Sequence, residues 1–97
     1  MQIEFIEPAS IELDDAIQYY EIQLKGLGRK FLNEVLESIN LIQKFPQLWA
    51  KNSTNTRKAV LRNFPYNVIY SAAENKITII ALAHQNRMPE YWIDRMK

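Results

Sequence analysis

Polar and apolar residues alternate from Gln2 to Ile6 around Ile3 and Phe5, the period of a short strand, and Pro8 closes it. From about Ala9 the period lengthens. Leu13, Ala16, Ile17, Tyr20 and Leu24 fall on one helical stripe, while Glu12, Asp14, Asp15 and Glu21 take the remaining positions. Lys25-Gly-Leu-Gly28 holds both glycines of the chain and reads as a helix stop and tight turn. A second stripe, Phe31, Leu32, Val35, Ile39 and Ile42, runs to Phe45-Pro46, where the proline disfavours helix at the residue before it. The two stripes predict an antiparallel helical hairpin.

After the polar, turn-prone stretch Lys51-Asn-Ser-Thr-Asn-Thr56 the pattern becomes strand-like. Runs at Arg57 to Arg62, Asn67 to Ala72 and Ile77 to Ala83 are separated by Asn63-Phe-Pro-Tyr66 and Ala73-Glu-Asn75, each short enough for an antiparallel hairpin. A short C-terminal segment follows, either an irregular tail or a helix from Pro89. The predicted order is β-α-α-β-β-β: an α+β fold with the helical hairpin on one face of a small, mainly antiparallel sheet. Leu13, Ile17, Phe31, Val35, Ile39, Val68, Tyr70, Ile77 and Ile79 or Ile80 are the expected core.

At 97 residues and 47% hydrophobic, the chain is expected to form a single domain over residues 1–97. Cysteine is absent, so neither a disulfide framework nor a thiolate metal site is available. One histidine supplies no recognisable metal-ligand set, and the glycines lie between helices instead of after a strand, so neither a metal nor a nucleotide cofactor is implied. The first seven residues carry two acids and no base, unlike a secretory signal. The longest strictly apolar run, Ile79 to Ala83, falls far short of the roughly 20 residues of a membrane helix. A cytoplasmic location with no membrane partner is expected.

The net charge of +1 conceals a division. Residues 1–43 hold three Lys/Arg against eight Asp/Glu, a net −5, and residues 44–97 hold nine against three, a net +6. Either the solvated faces differ, or the second half offers a cationic surface to an anionic partner.

Four motifs carry a resemblance: Leu13-Asp-Asp-Ala-Ile-Gln-Tyr-Tyr20; Gly26-Leu-Gly28 before Phe31-Leu32; Phe64-Pro-Tyr66 before Val68-Ile-Tyr70; and His84-x-x-Arg87-x-Pro89-x-Tyr-Trp92. In this order, and over nearly the full length, they resemble the ParE branch of the RelE/ParE toxin superfamily, whose members are often called plasmid stabilisation proteins. The resemblance implies the toxin of a type II toxin-antitoxin pair, held in a hetero-oligomer by a cognate antitoxin. ParE-type toxins poison DNA gyrase; RelE-type toxins cut messenger RNA on the ribosome.

Cleavage through the RNA 2′-hydroxyl requires a base, cations for the charge developing on phosphorus, and an acid for the leaving oxygen. RelE-type nucleases resemble one another in carrying lysines on the second strand, an arginine early on the third, and an arginine and a tyrosine near the C-terminus. If the chain is a nuclease, its catalytic candidates are Lys58, Arg62, Arg87, Tyr91 and His84. Asn67 stands in place of the third-strand arginine and Val60 in place of a second lysine, so the site reads as incomplete. The candidates for target or antitoxin binding are Arg57, Lys58, Arg62, His84, Arg87, Tyr91, Trp92 and Arg95. Each also has a structural reading: His84 as a hydrogen-bonding strand end, Tyr91 and Trp92 as aromatics folding the tail onto the sheet, Arg87 and Arg95 as partners of Glu90 and Asp94. Tyr19 and Tyr20 are read as core, and the acids of the first helix as mostly solvated.

Overall fold

The structure, a computed structural model, describes residues 1–53 and 55–96. Thr54, within the expected 51–56 turn, and Lys97, at the end of the expected domain, lie outside the described residues. The elements are β1 (Gln2–Phe5), α1 (Glu7–Gln23), α2 (Leu27–Lys44), β2 (Arg57–Val60), β3 (Tyr66–Ala73), β4 (Lys76–His84) and a 3-10 turn at Ile93–Met96. Helices pack against one face of a four-stranded sheet of order β1-β4-β3-β2, in which β1 runs parallel to β4 and the other neighbours are antiparallel. The expected α+β architecture and element order are observed.

Local chemistry accounts for the joints. Pro8 sits in the first turn of α1, where its missing N–H would be unpaired anyway. Gly26 takes φ +90, which a side chain would resist, and its N–H and that of Gly28 donate to the Glu21 carboxylate at 3.0 to 3.1 Å. Gly28 is needed for a different reason: a Cβ there would lie 2.6 Å from the Ile17 carbonyl oxygen, so α1 and α2 can approach only because it has none. Glu74 and Asn75 both take positive φ and form the two-residue β3–β4 turn, matching the right-handed twist of the strands.

The main core lies between helices and sheet. Phe31, Val35 and Ile39 from α2 meet Val68, Tyr70, Ile77 and Ile79, while α1 contributes the small Ala9 and Ala16 with Tyr20. Leu13 and Ile17 are partly buried at its border. Phe64 and Tyr66 stack with Tyr20 and Phe31 at centroid distances of 4.9 to 6.2 Å. A second cluster, Ile69, Ile80, Ala81, Ala83 and Trp92, covers the other face. Ile80 faces this side by alternation from Ile79, and Ala81 joins it because β3 and β4 shift register between Ile69 and Tyr70, pairing Ala81 and Ile79 with those two and leaving Ile80 as the extra residue.

Two expectations need correction, and the alternative of tail or helix at the C-terminal end is resolved in favour of the tail. Leu24 is 63% exposed, since α1 ends at Gln23 and the chain there is already extended. Tyr19 is 58% exposed, because one helical step rotates it away from Tyr20 and the core. No helix begins at Pro89: Glu90 takes φ 61, which breaks helix propagation, and only the 3-10 turn at Ile93–Met96 forms.

Candidate functional site

The sheet face away from the helices carries a groove of about 130 Å³ between the ends of β2, β3 and β4 and the returning tail. Strand alternation determines what faces it. Lys58 pairs with Ile69, which pairs with Ala81; beside this row, Val60 pairs with Asn67 and Asn67 with Ala83. The two positions lacking a cation in the sequence, Val60 and Asn67, are therefore cross-strand neighbours. Asn67 is occupied by an amide contact, its Oδ1 accepting from Gln85 Nε2 at 3.3 Å.

The tail closes the groove. Trp92, 2% exposed, is a core residue of the second cluster and forms part of the groove wall. Tyr91 donates its hydroxyl to Glu12 Oε2 at 2.5 Å and lies beneath Arg87, whose Cζ is 3.9 Å from the ring centroid. That distance is within cation–π range. Burial first, then the hydrogen bond and charge of Glu12, hold the Tyr91 phenol well above its ordinary pKa. Such a phenol is a poor acid for a leaving oxygen.

Arg95 reaches across the fold to the first helix. Its Nη1 donates to Glu12 Oε1 at 2.9 Å and to the Ile80 carbonyl at 3.0 Å, and its Nη2 donates to Glu12 Oε2 at 3.0 Å. The Glu12 hydrogen bonds raise its pKa further, and its side chain is only 21% exposed, so it is a structural cation. Arg87 stacks on Tyr91.

The reason lies in the strand lengths. β1 has four residues and β4 nine, so pairing on that edge of β4 ends at Ile79. Beyond it the Ile80 carbonyl and the Leu82 N–H need other partners. Arg95 serves the first, and Glu12 Oε1 accepts from the second at 3.1 Å. Glu12 therefore departs from the solvated reading of the α1 acids, whereas Glu21 stays exposed while accepting at the helix turn.

The remaining candidates disperse. Arg57 donates to the Trp49 carbonyl at 2.6 Å. Arg62 is exposed past the end of β2, where its backbone N–H, with that of Asn63, is held by Glu34 at 2.6 and 3.1 Å. Burial raises the Glu34 pKa, but the Asn63 and Arg62 donors outweigh it and the net shift is downward. His84 accepts the Asn86 N–H on Nδ1 at 3.0 Å, leaving the neutral ring's proton on Nε2, and stands edge-on to Tyr66 at 5.0 Å. With Arg87 it also borders a second cleft, on the α1 side, beside Glu12, Asp15 and Tyr19.

Lys58, His84, Arg87 and Tyr91 are thus brought together at the groove, whereas Arg57 and Arg62 do not line it. Sequence reasoning missed Glu12. Its signal was available: it stands three residues after Ala9 and four before Ala16, both buried, so it lies on the face of α1 that approaches the sheet. Among the described residues, no helix is long and apolar enough to cross a membrane and no cluster of three His, Cys, Asp or Glu could hold a metal ion.

Two solved structures share the fold. A chain of the chromosomal ParDE TA system from P. aeruginosa is similar with a TM-score of 0.75 at 16% identity, over 87% of this chain and 95% of that one. The isolated E. coli RelE toxin is similar with a TM-score of 0.65 at 16% identity, over 99% of this chain and 98% of that one. No curated protein matches. Residues 3–89 match the family described as ParE toxin of type II toxin-antitoxin system, parDE. Since that match spans most of the sequence, the chain belongs to the ParE toxin family of type II toxin-antitoxin systems.

Proposed function

We propose that the chain inhibits growth by binding and poisoning DNA gyrase in the cytoplasm, that a cognate antitoxin neutralises it in a hetero-oligomer, and that it does so without cleaving RNA. Maintenance of a plasmid is the corresponding biological role. The observation that carries the reading is the composition of the groove and of the cross-strand pair at its edge, Asn67 lining it and Val60 standing beside Asn67. Val60 and Asn67 form a cation-free row, and the Tyr91 hydroxyl is committed to Glu12. Loss of one electrostatic donor typically lowers a rate by about 10² to 10³, and here two cations and an acid are wanting together. Lys58 and Arg87 remain exposed at the groove for contact with a partner protein.

Expression of the chain without its antitoxin should stop DNA replication before translation, and the purified protein should inhibit supercoiling by gyrase. A second reading, a ribosome-dependent endoribonuclease, draws support from Lys58 and Arg87 sharing one groove. Mapping messenger RNA ends on translating ribosomes distinguishes them. Codon-aligned cuts that vanish in Arg87→Ala, with normal supercoiling, would overturn the gyrase reading. Silence in both assays would point to a relic that only binds its antitoxin.

A further inference from the structure

We infer that Glu12, outside the groove and on the first helix, is the positioning residue for Arg87: by anchoring the Tyr91 hydroxyl it sets where the guanidinium stands. The inference rests on the reading that Arg87 meets the target.

The linkage is continuous. Each oxygen of Glu12 takes two donors, Oε1 from Leu82 N–H and Arg95 Nη1, Oε2 from Tyr91 and Arg95 Nη2. Four donors from three directions fix the plane of the carboxylate. One of them is a backbone N–H of β4, an interior strand of the sheet, so the anchor is referred to a rigid frame. The anchored hydroxyl belongs to a residue 79 positions away, in a tail without regular helix at that point. The ring it orients carries Arg87 at 3.9 Å, with Arg95 Cζ at 5.2 Å from the same centroid.

Arginine has a long side chain with several rotors, and a fixed aromatic face restricts it before any partner arrives. A carboxylate is required at position 12 because every group aimed at it is a donor. Glutamine has nearly the same shape but one acceptor oxygen, and its NH₂ would confront the guanidinium of Arg95.

The test combines a spectroscopic signature with a cycle. In the intact chain the Nε–Hε proton resonance of Arg87 should be displaced by the ring current of Tyr91. It should move toward the position of free arginine in Glu12→Gln and in Tyr91→Phe, both checked for native fold by their backbone spectra. Half-inhibition of supercoiling should require about tenfold more Glu12→Gln protein, the scale of coupling between linked residues. Glu12→Gln combined with Arg87→Ala should be no weaker than Arg87→Ala alone.

An Arg87 resonance unmoved in both variants, or effects that simply add in the double variant, would overturn the inference. Should Glu12→Gln fail to fold, Tyr91→Phe decides it, since that change removes one oxygen atom and keeps the ring. If the resonance moves while Arg87→Ala inhibits gyrase as well as the parent chain, the positioning link holds and the reading of Arg87 as a target contact falls.

Discussion

Replacing Glu12 by alanine removes the acceptor of four hydrogen bonds at once, and the consequence for stability follows from what remains. The Leu82 N–H, in a residue 2% exposed, loses its partner, and an unsatisfied buried donor costs about 1 to 3 kcal/mol. Arg95 keeps only the Ile80 carbonyl of the three contacts its guanidinium makes with these groups. Breaking a buried pair from one side costs about 3 to 5 kcal/mol. With side chains 21% and 17% exposed, and Arg95 near the chain end and able to turn toward water, the total should be about 2 to 4 kcal/mol.

Arg95→Ala should cost less, about 1 to 2 kcal/mol, because Glu12 retains the Leu82 and Tyr91 donors. The double variant should show a coupling of about 1 to 3 kcal/mol. Urea unfolding monitored by the fluorescence of Trp49 and Trp92 together and by circular dichroism measures all three, with the midpoint shifting at constant slope. If Glu12→Ala lay within about 0.5 kcal/mol of the parent chain, or if Arg95→Ala cost more than Glu12→Ala, the carboxylate would not be the centre of the clasp.

Ile39→Ala should destabilise by about 2 to 4 kcal/mol and Val35→Ala by somewhat less, since both are buried in the main core; unchanged unfolding midpoints would misplace the helical hairpin. Gly28→Ala should cost about 1 to 3 kcal/mol because the clash is with the Ile17 backbone and cannot be relieved by a rotamer, and a neutral result by thermal unfolding would refute the close approach. Burial, above all, raises the phenol pKa of Tyr20, Tyr66, Tyr70 and Tyr91, with Glu12 adding to the shift at Tyr91. Folded values above the unfolded one of about 10 mean that this contribution to stability is fully present below pH ~10 and is lost as the pH rises through the folded values. Tyr91→Phe should make that alkaline decline shallower, and an identical slope would count against the buried phenol. Lys58→Glu should slow association with the antitoxin and flatten its salt dependence, measured by stopped-flow at several ionic strengths; an unchanged rate would remove the groove from the encounter surface.

The element order was legible in the sequence because it depends on local periodicity. The stripes at Phe31, Val35 and Ile39 and the apolar run Ile77 to Ala83 announce themselves within a few turns of chain, and Gly26 marks the turn between helices by the backbone conformation it permits. The Phe64-Pro-Tyr66 motif was visible too, though not that its rings would stack on Tyr20 and Phe31. Tertiary structure alone decided that β1 lies parallel beside β4, that β4 outruns it, and that Glu12 and Arg95 complete the unpaired edge. It also decided that Val60 and Asn67 stand side by side, and that Trp92 is core while Arg87 is exposed. These pairings join residues as many as 83 positions apart. Sequence periodicity reports which face of an element is apolar, but a hydrogen bond between distant elements depends on where their ends meet, and that is settled only when the strands have taken their lengths and register.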